Sequence, residues 1–187
     1  MDKELKTYEK HVRKLAEENS DELILNGLMD HAKILVTNLL LNTKKELRIF
    51  SSSLKSELYD DPLVLDALTN FIGSASEQQQ KTVTVLLQNS DSLGESKFLS
   101  ILTGDGLNKN IKVNLMEVVE TNDQEIKQHF ITSDNGAYRF CPDKEGTKAT
   151  ASFNREDDVR HLVEQFKLLT DRAKAFVYPE ISAQATS

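Results

Sequence analysis

The feature that most constrains the fold is an alternation in the first half of the chain. A short β-type run, Leu47-Arg48-Ile49-Phe50, precedes a helical stretch, and a second, more apolar run follows at Lys81–Gln88. The helix between them is signalled by Pro62 after Asp60-Asp61, which suits the first helical position. Leu63, Leu65, Leu68, Phe71 and Ile72 supply its apolar face up to Gly73. Strand, helix and strand in that order imply a right-handed crossover between parallel strands. A further short helix over Phe98–Leu102, ending at Gly104, and a third strand over Ile111–Val119 extend the pattern toward a doubly wound sheet.

The second half reads as an antiparallel meander. Strands over His129–Ser133, Ala137–Cys141 and Lys148–Phe153 are separated by a turn at Asp134-Asn135-Gly136 and a loop at Pro142–Gly146. Asn-Gly is a strong hairpin signal because both residues tolerate positive φ. A last helix is expected over Arg155–Val177, capped by Asn154, with Val159, Leu162, Val163, Phe166, Leu169 and Ala173 on one face and Pro179 ending it. The fold class is therefore α/β, a mixed β-sheet flanked by helices.

Two helices precede the first strand. Leu5, Tyr8, Val12 and Leu15 form a stripe one side chain wide on an otherwise charged helix, spaced to meet another helix. That neighbour is either a partner, which makes these four the candidate partner-binding residues, or the chain's own domain. Ser20 then reads as the cap of a second helix, Asp21–Asn42, whose leucines cover more than half its circumference. The expected organisation is an N-terminal amphipathic helix over 1–19, an α/β domain over 20–178 and a small polar tail over 179–187.

Composition narrows the functional classes. With 39% apolar and 28% charged residues, the 187-residue chain can bury roughly two-thirds of its unfolded surface without staples. Cys141 is the single cysteine, so no intramolecular disulfide or thiolate zinc cluster can form, and a reducing, cytoplasmic setting is expected. Met1–Ser20 lacks the apolar core of a signal peptide, and Ile34–Leu41 is far short of the ~20 residues that span a bilayer. The net charge is −7, and residues 1–50 carry nine basic and nine acidic side chains, so the acidic excess lies beyond them. That balance disfavours nucleic acid as the main partner, since phosphate-tracking surfaces are basic. Phosphate-binding glycine loops, nucleophile elbows, zinc helices and calcium loops are missing, and no cofactor or metal site is expected.

Histidines stand at 11, 31, 129 and 161. His31 and Lys33 spell His-x-Lys, but on a leucine-rich helix. His129 opens a strand, Asp134 follows at the turn, and Ala151-Ser152-Phe153-Asn154 precedes the last helix. This order resembles one half of the phospholipase D-like superfamily. In that family a late hairpin carries His-x-Lys-x4-Asp, and a turn of the kind Gly-Ser-x-Asn precedes a final helix. The resemblance is one of pattern and runs from about residue 25 to 177.

Carried over, His129 falls on the catalytic histidine and Asn154 on the asparagine, whereas Ile131 stands at the lysine position and Gly136 at the aspartate position. The lysine binds a phosphate oxygen and the acid orients the imidazole, so losing both removes several kcal/mol of transition-state stabilisation. The resemblance thus implies a non-catalytic binding or scaffolding subunit. Since single-domain relatives pair two protomers, it also implies a homodimer. Two alternatives are a phosphodiesterase or nuclease using His129 with a rearranged acid, Asp134, and a peripheral lipid-headgroup binder. Tyr138 and Phe140 should share one sheet face, with Arg139 on the other, either as a base-stacking surface or as packing under the last helix with Phe166.

Overall fold

The computed structural model describes residues 3–178 except 53, 55, 91, 92, 94, 120–127 and 143–147. The elements follow in the order α1 (Lys3–Glu17), β1 (Ile24–Asn26), α2 (Met29–Asn42), β2 (Glu46–Ser51), α3 (Ser56–Tyr59), α4 (Pro62–Gly73) and β3 (Lys81–Leu87). Next come α5 (Lys97–Thr103), β4 (Ile111–Val118), β5 (His129–Ser133), β6 (Tyr138–Cys141), β7 (Ala149–Ser152), α6 (Glu156–Thr170) and β8 (Ala173–Ala175). Eight strands form one sheet in the order β1-β7-β6-β5-β2-β3-β4-β8. The β2, β3 and β4 strands are parallel, and every other pairing is antiparallel.

The crossover expected from the sequence is present. Asp61 caps α4 by accepting from the Leu63 amide, with Pro62 opening the helix. The Lys81 ammonium lies buried at the other end of α4. It donates to the Phe71 carbonyl at 3.1 Å and to Ser74 Oγ at 2.6 Å, and sits 4.3 Å from the Phe71 ring centroid. A cation is favoured at that carbonyl-rich helix end, while its burial pulls the lysine below its ordinary value.

Side-chain alternation sorts the core into two layers. Leu47, Ile49, Val83, Val85 and Ile131 face α1, α2, α4 and α5, whereas Phe50, Leu86, Phe130 and Tyr138 face α6. Phe130 lies 6.2 Å from Phe166, edge to face, and 5.4 Å from Phe50. Tyr138 and Phe140 share the α6 face, as their alternation requires, and Arg139 is on the other.

Three expectations are corrected. The helix over Asp21–Asn42 divides into β1 and a shorter α2. Leu23, Leu25 and Leu28, read as part of its apolar face, are all exposed, and β1 instead pairs with β7 through Ile24↔Ala151 and Asn26↔Ala149. Ser20 accordingly caps no helix. Its Oγ accepts from the Glu22 amide, and its carbonyl accepts from the Phe153 amide. The last helix stops at Thr170 rather than Val177, because Ala173–Ala175 pairs with the open edge of β4. Backbone hydrogen bonds at a sheet edge outweigh a modest helical preference. Finally, Arg155 rather than Asn154 occupies the cap position of α6, with no side-chain cap bond. The expected stop at Pro179 and the tail over 179–187 lie outside the described residues.

The α1 seam faces its own chain. Val12 and Leu15 are buried in the core shared with α2, and Leu5 and Tyr8 pack at its margin. Tyr8 stacks on His31 with ring centroids 3.7 Å apart. Lys33, the other half of His-x-Lys, pairs with Asp30 and Asp61. No helix among the described residues is long and apolar enough to cross a membrane.

Candidate functional site

Strand order places the site. From β2 the parallel strands progress outward through β3 to β4, and the chain then returns to the other flank of β2 as β5. The direction of winding therefore reverses between β2 and β5. Open α/β sheets bind ligands in such a crevice, beyond the carboxyl ends of the parallel strands. His129 opens β5 at that end, one residue beyond the Phe50↔Phe130 pair and opposite Cys141 of β6.

The imidazole is buried, at 8% exposure. The Ser52 amide donates to its Nδ1 at 3.2 Å, and Ser51 Oγ lies 3.4 Å from the same nitrogen. Ser51 Oγ in turn accepts from the Leu54 amide at 3.2 Å. Because a backbone N–H can only donate, Nδ1 serves as the acceptor, and the neutral ring then carries its proton on Nε2.

A polar column runs beneath this edge. Arg139, buried on β6, donates from Nε to Asn26 Oδ1 at 3.1 Å, and Asn26 Nδ2 donates to the Leu28 carbonyl at 3.1 Å. Burial pushes both the Tyr8 and Tyr59 hydroxyls up to about 12, with the Arg139 charge pulling them the other way. Cys141 Sγ donates to the Lys148 carbonyl at 3.1 Å. At the end of β4, Glu117 accepts from the Ser90 amide and hydroxyl, which with Lys174 holds its carboxyl below the ordinary range despite partial burial. Among the described residues, no three His, Cys, Asp or Glu side chains are grouped to hold a metal ion.

The residues singled out by motif are not all brought together. Asp134 lies past the far end of β5, about 16 Å of extended chain from His129. There its two carboxylate oxygens accept from the Lys44 and Lys45 amides, each at 3.0 Å, and its own amide donates to the Glu46 carbonyl. It ties the β5–β6 turn to the entrance of β2 and cannot serve as an acid for His129. Asn154 is at this far end too, beside Gly136, where an added Cβ would stand 3.3 Å from Asn154 Oδ1. Ile131 is buried in the layer beneath α1 and α2. The buried Arg139–Asn26 pair was not among the candidates. Its one sequence signal is an arginine inside the run Tyr-Arg-Phe-Cys.

An eight-stranded mixed sheet with helices on both faces is the α/β architecture of phospholipase D-like solved structures. Residues 29–177 match the family described as Domain of unknown function (DUF7931), and the chain belongs to that family. The match leaves α1 and β1 outside it. No curated protein matches the chain.

Among solved structures, the chain is similar to Nuc from Salmonella typhimurium, a phospholipase D family member. The identity is 12% and the TM-score 0.55, covering 84% of this chain and 99% of that one. NucT from Helicobacter pylori is similar at 11% identity and TM-score 0.53, over 83% and 99% of the two chains. The archaeal chromatin protein TrmBL2, reported to show a novel mode of DNA binding, matches at 11% identity and TM-score 0.53. That match covers 91% of this chain, which spans only 61% of the archaeal protein. Likeness at these identities is likeness of fold.

Proposed function

We propose that the chain is a non-catalytic binding or scaffolding module built on a phospholipase D-like domain. One observation carries this reading, the hydrogen bond from the Ser52 amide to His129 Nδ1. A histidine that attacks phosphorus needs a free lone pair on the attacking nitrogen, with the other nitrogen's proton held by an acid. Here the ring is turned over electronically. The backbone donates to Nδ1, so the proton resides on Nε2, and Asp134, the acid of the following turn, is committed to Lys44 and Lys45 at the other end of the strand. Ile131, at the position where the family carries its lysine, is buried and apolar. The same crevice without transition-state machinery can still hold a ligand or a partner loop. The net charge of −7 favours a protein over a polyanion there.

Long-range proton–nitrogen correlation spectra test the tautomer. The reading expects the His129 ring to be neutral and protonated at Nε2, and a ring protonated at Nδ1 with Nε2 free would overturn it.

A further inference from the structure

Outside the histidine crevice, α1 and α4 both pack on α2 and leave a groove between them along its outer face. The hollow there measures about 420 Å³, room enough for a small ligand. Leu41 and Leu63 give it an apolar side and are 53% and 56% exposed. The wall from Glu9 to Glu17 and the floor from Ile34 to Asn42 each run about 12 Å at 1.5 Å per residue, so the groove is elongated.

The floor is polar where a helix packed between two others would gain most from apolar side chains. Asn38 is only 7% exposed, and its Nδ2 donates to the Ile34 carbonyl at 2.8 Å. One turn on, Asn42 Nδ2 donates to the Asn38 carbonyl, also at 2.8 Å. Both amides thereby spend a donor on the helix and keep Oδ1 without a partner among the described residues, at the wall of the hollow. Thr37, beside them, is the exception among the helical threonines described. Thr7, Thr69, Thr103 and Thr170 each donate to the carbonyl four residues back, whereas Thr37 Oγ1 is buried with no hydrogen-bond partner. These side chains are not spent on holding the helices together.

The charges on the two walls select the ligand. Glu9 is paired with Arg13 at 3.0 Å, but Glu17 on α1 and Asp66 on α4 have no ion pair or hydrogen bond among the described residues. The three carboxylates do not converge, since no three acidic, histidine or cysteine side chains described are grouped to hold a metal ion. Separated acids, open amide oxygens and an apolar side suit a long cation with spaced charges rather than a single divalent ion. An ammonium group donates three hydrogen bonds and accepts none, which matches a row of acceptors. We infer that this groove binds a linear aliphatic polyammonium ion, with its ammonium groups on Glu17, Asp66 and Asn38 Oδ1 and its methylene stem on Leu41 and Leu63. The surface is separate from the His129 crevice, so this inference can fail while the reading of that crevice stands.

Calorimetric titration of the full chain with spermidine tests it, in about 150 mM salt so that diffuse attraction to an acidic protein is screened. One saturable site per chain is expected, and the side-chain amide signals of Asn38 and Asn42 should shift as it fills. Those shifts are read on the unaltered chain and depend on no variant. Asp66→Asn and Glu17→Gln should each weaken binding by about three- to fivefold, the range of a single exposed ion pair. Leu63→Lys sets a cation into the groove and should abolish binding. Glu164→Gln removes the same charge from the exposed side of α6 and should leave the affinity unchanged. The absence of a saturable site, shifts confined to other residues, displacement of spermidine by an equal concentration of Mg²⁺, or an equal loss in Glu164→Gln would each overturn the proposal.

Discussion

Phe166 is where the α6 layer is decided residue by residue. Its ring fills the space between Phe130 and the helix that covers it, with 4% of its surface exposed. Phe166→Ala should destabilise the fold by about 3–5 kcal/mol, the cost of emptying an aromatic core site, as read from denaturant melts. A loss under about 1 kcal/mol would mean that α6 is not held by this contact.

Tyr59 carries the pH dependence at the same scale. Its folded value, about 12, lies above that of an exposed phenol. A raised value favours the protonated folded form. The contribution is thus complete below about pH 10 and is lost as the pH climbs toward the folded value, on the order of 2 kcal/mol in all. Melts followed upward through that window should show the decline, and Tyr59→Phe should remove the Tyr59 share of it while that of Tyr8 remains. An equal decline in the Phe variant would place the effect elsewhere.

At the scale of elements, α1 contributes core rather than ornament. Val12, Leu15 and Ala16 are buried against α2, although the family match begins only at residue 29. Deleting residues 1–19 should therefore lower the melting midpoint by several degrees and expose the α2 surface to a hydrophobic dye. Val12→Asp, which buries an unpaired carboxylate, should be worse than the deletion of an exposed charge such as Lys14. A truncated chain as stable as the parent would return the seam to the role of a partner surface.

The elements also show what was legible in the sequence and why. Residues 46–118 could be read closely because each signal is local: Asp61-Pro62 starts α4, Gly104 stops α5, and alternating valines mark β3. The hairpin turn was legible for the same reason, since Gly136 sits at φ +81°. The misread segments are those whose partner is distant in sequence. Ile24–Asn26 looks helical until Ala149–Ala151 offers a strand to pair with, and Ala173–Ala175 continues a helix until the free edge of β4 captures it. The site divides the same way. His129 could be chosen from its place at a strand start, but Asn154 and Asp134 follow it along the chain and are carried to the opposite end of the sheet by the hairpin.

For the whole molecule, the likeness to Nuc and NucT concerns the scaffold, and the chemistry depends on a few atoms at the winding reversal. There the chain has a buried histidine accepting from a backbone amide and an isoleucine two residues on, while Asp134 is bound to the Lys44 and Lys45 amides at the other end of the strand. On the proposed reading, this scaffold does not cleave phosphodiesters. The most direct test is the steady-state hydrolysis of bis-p-nitrophenyl phosphate by the purified chain, with and without Mg²⁺, beside the His129→Ala variant. A rate indistinguishable from buffer is expected for both proteins under both conditions, whereas turnover by the parent that disappears in His129→Ala would overturn the proposed reading.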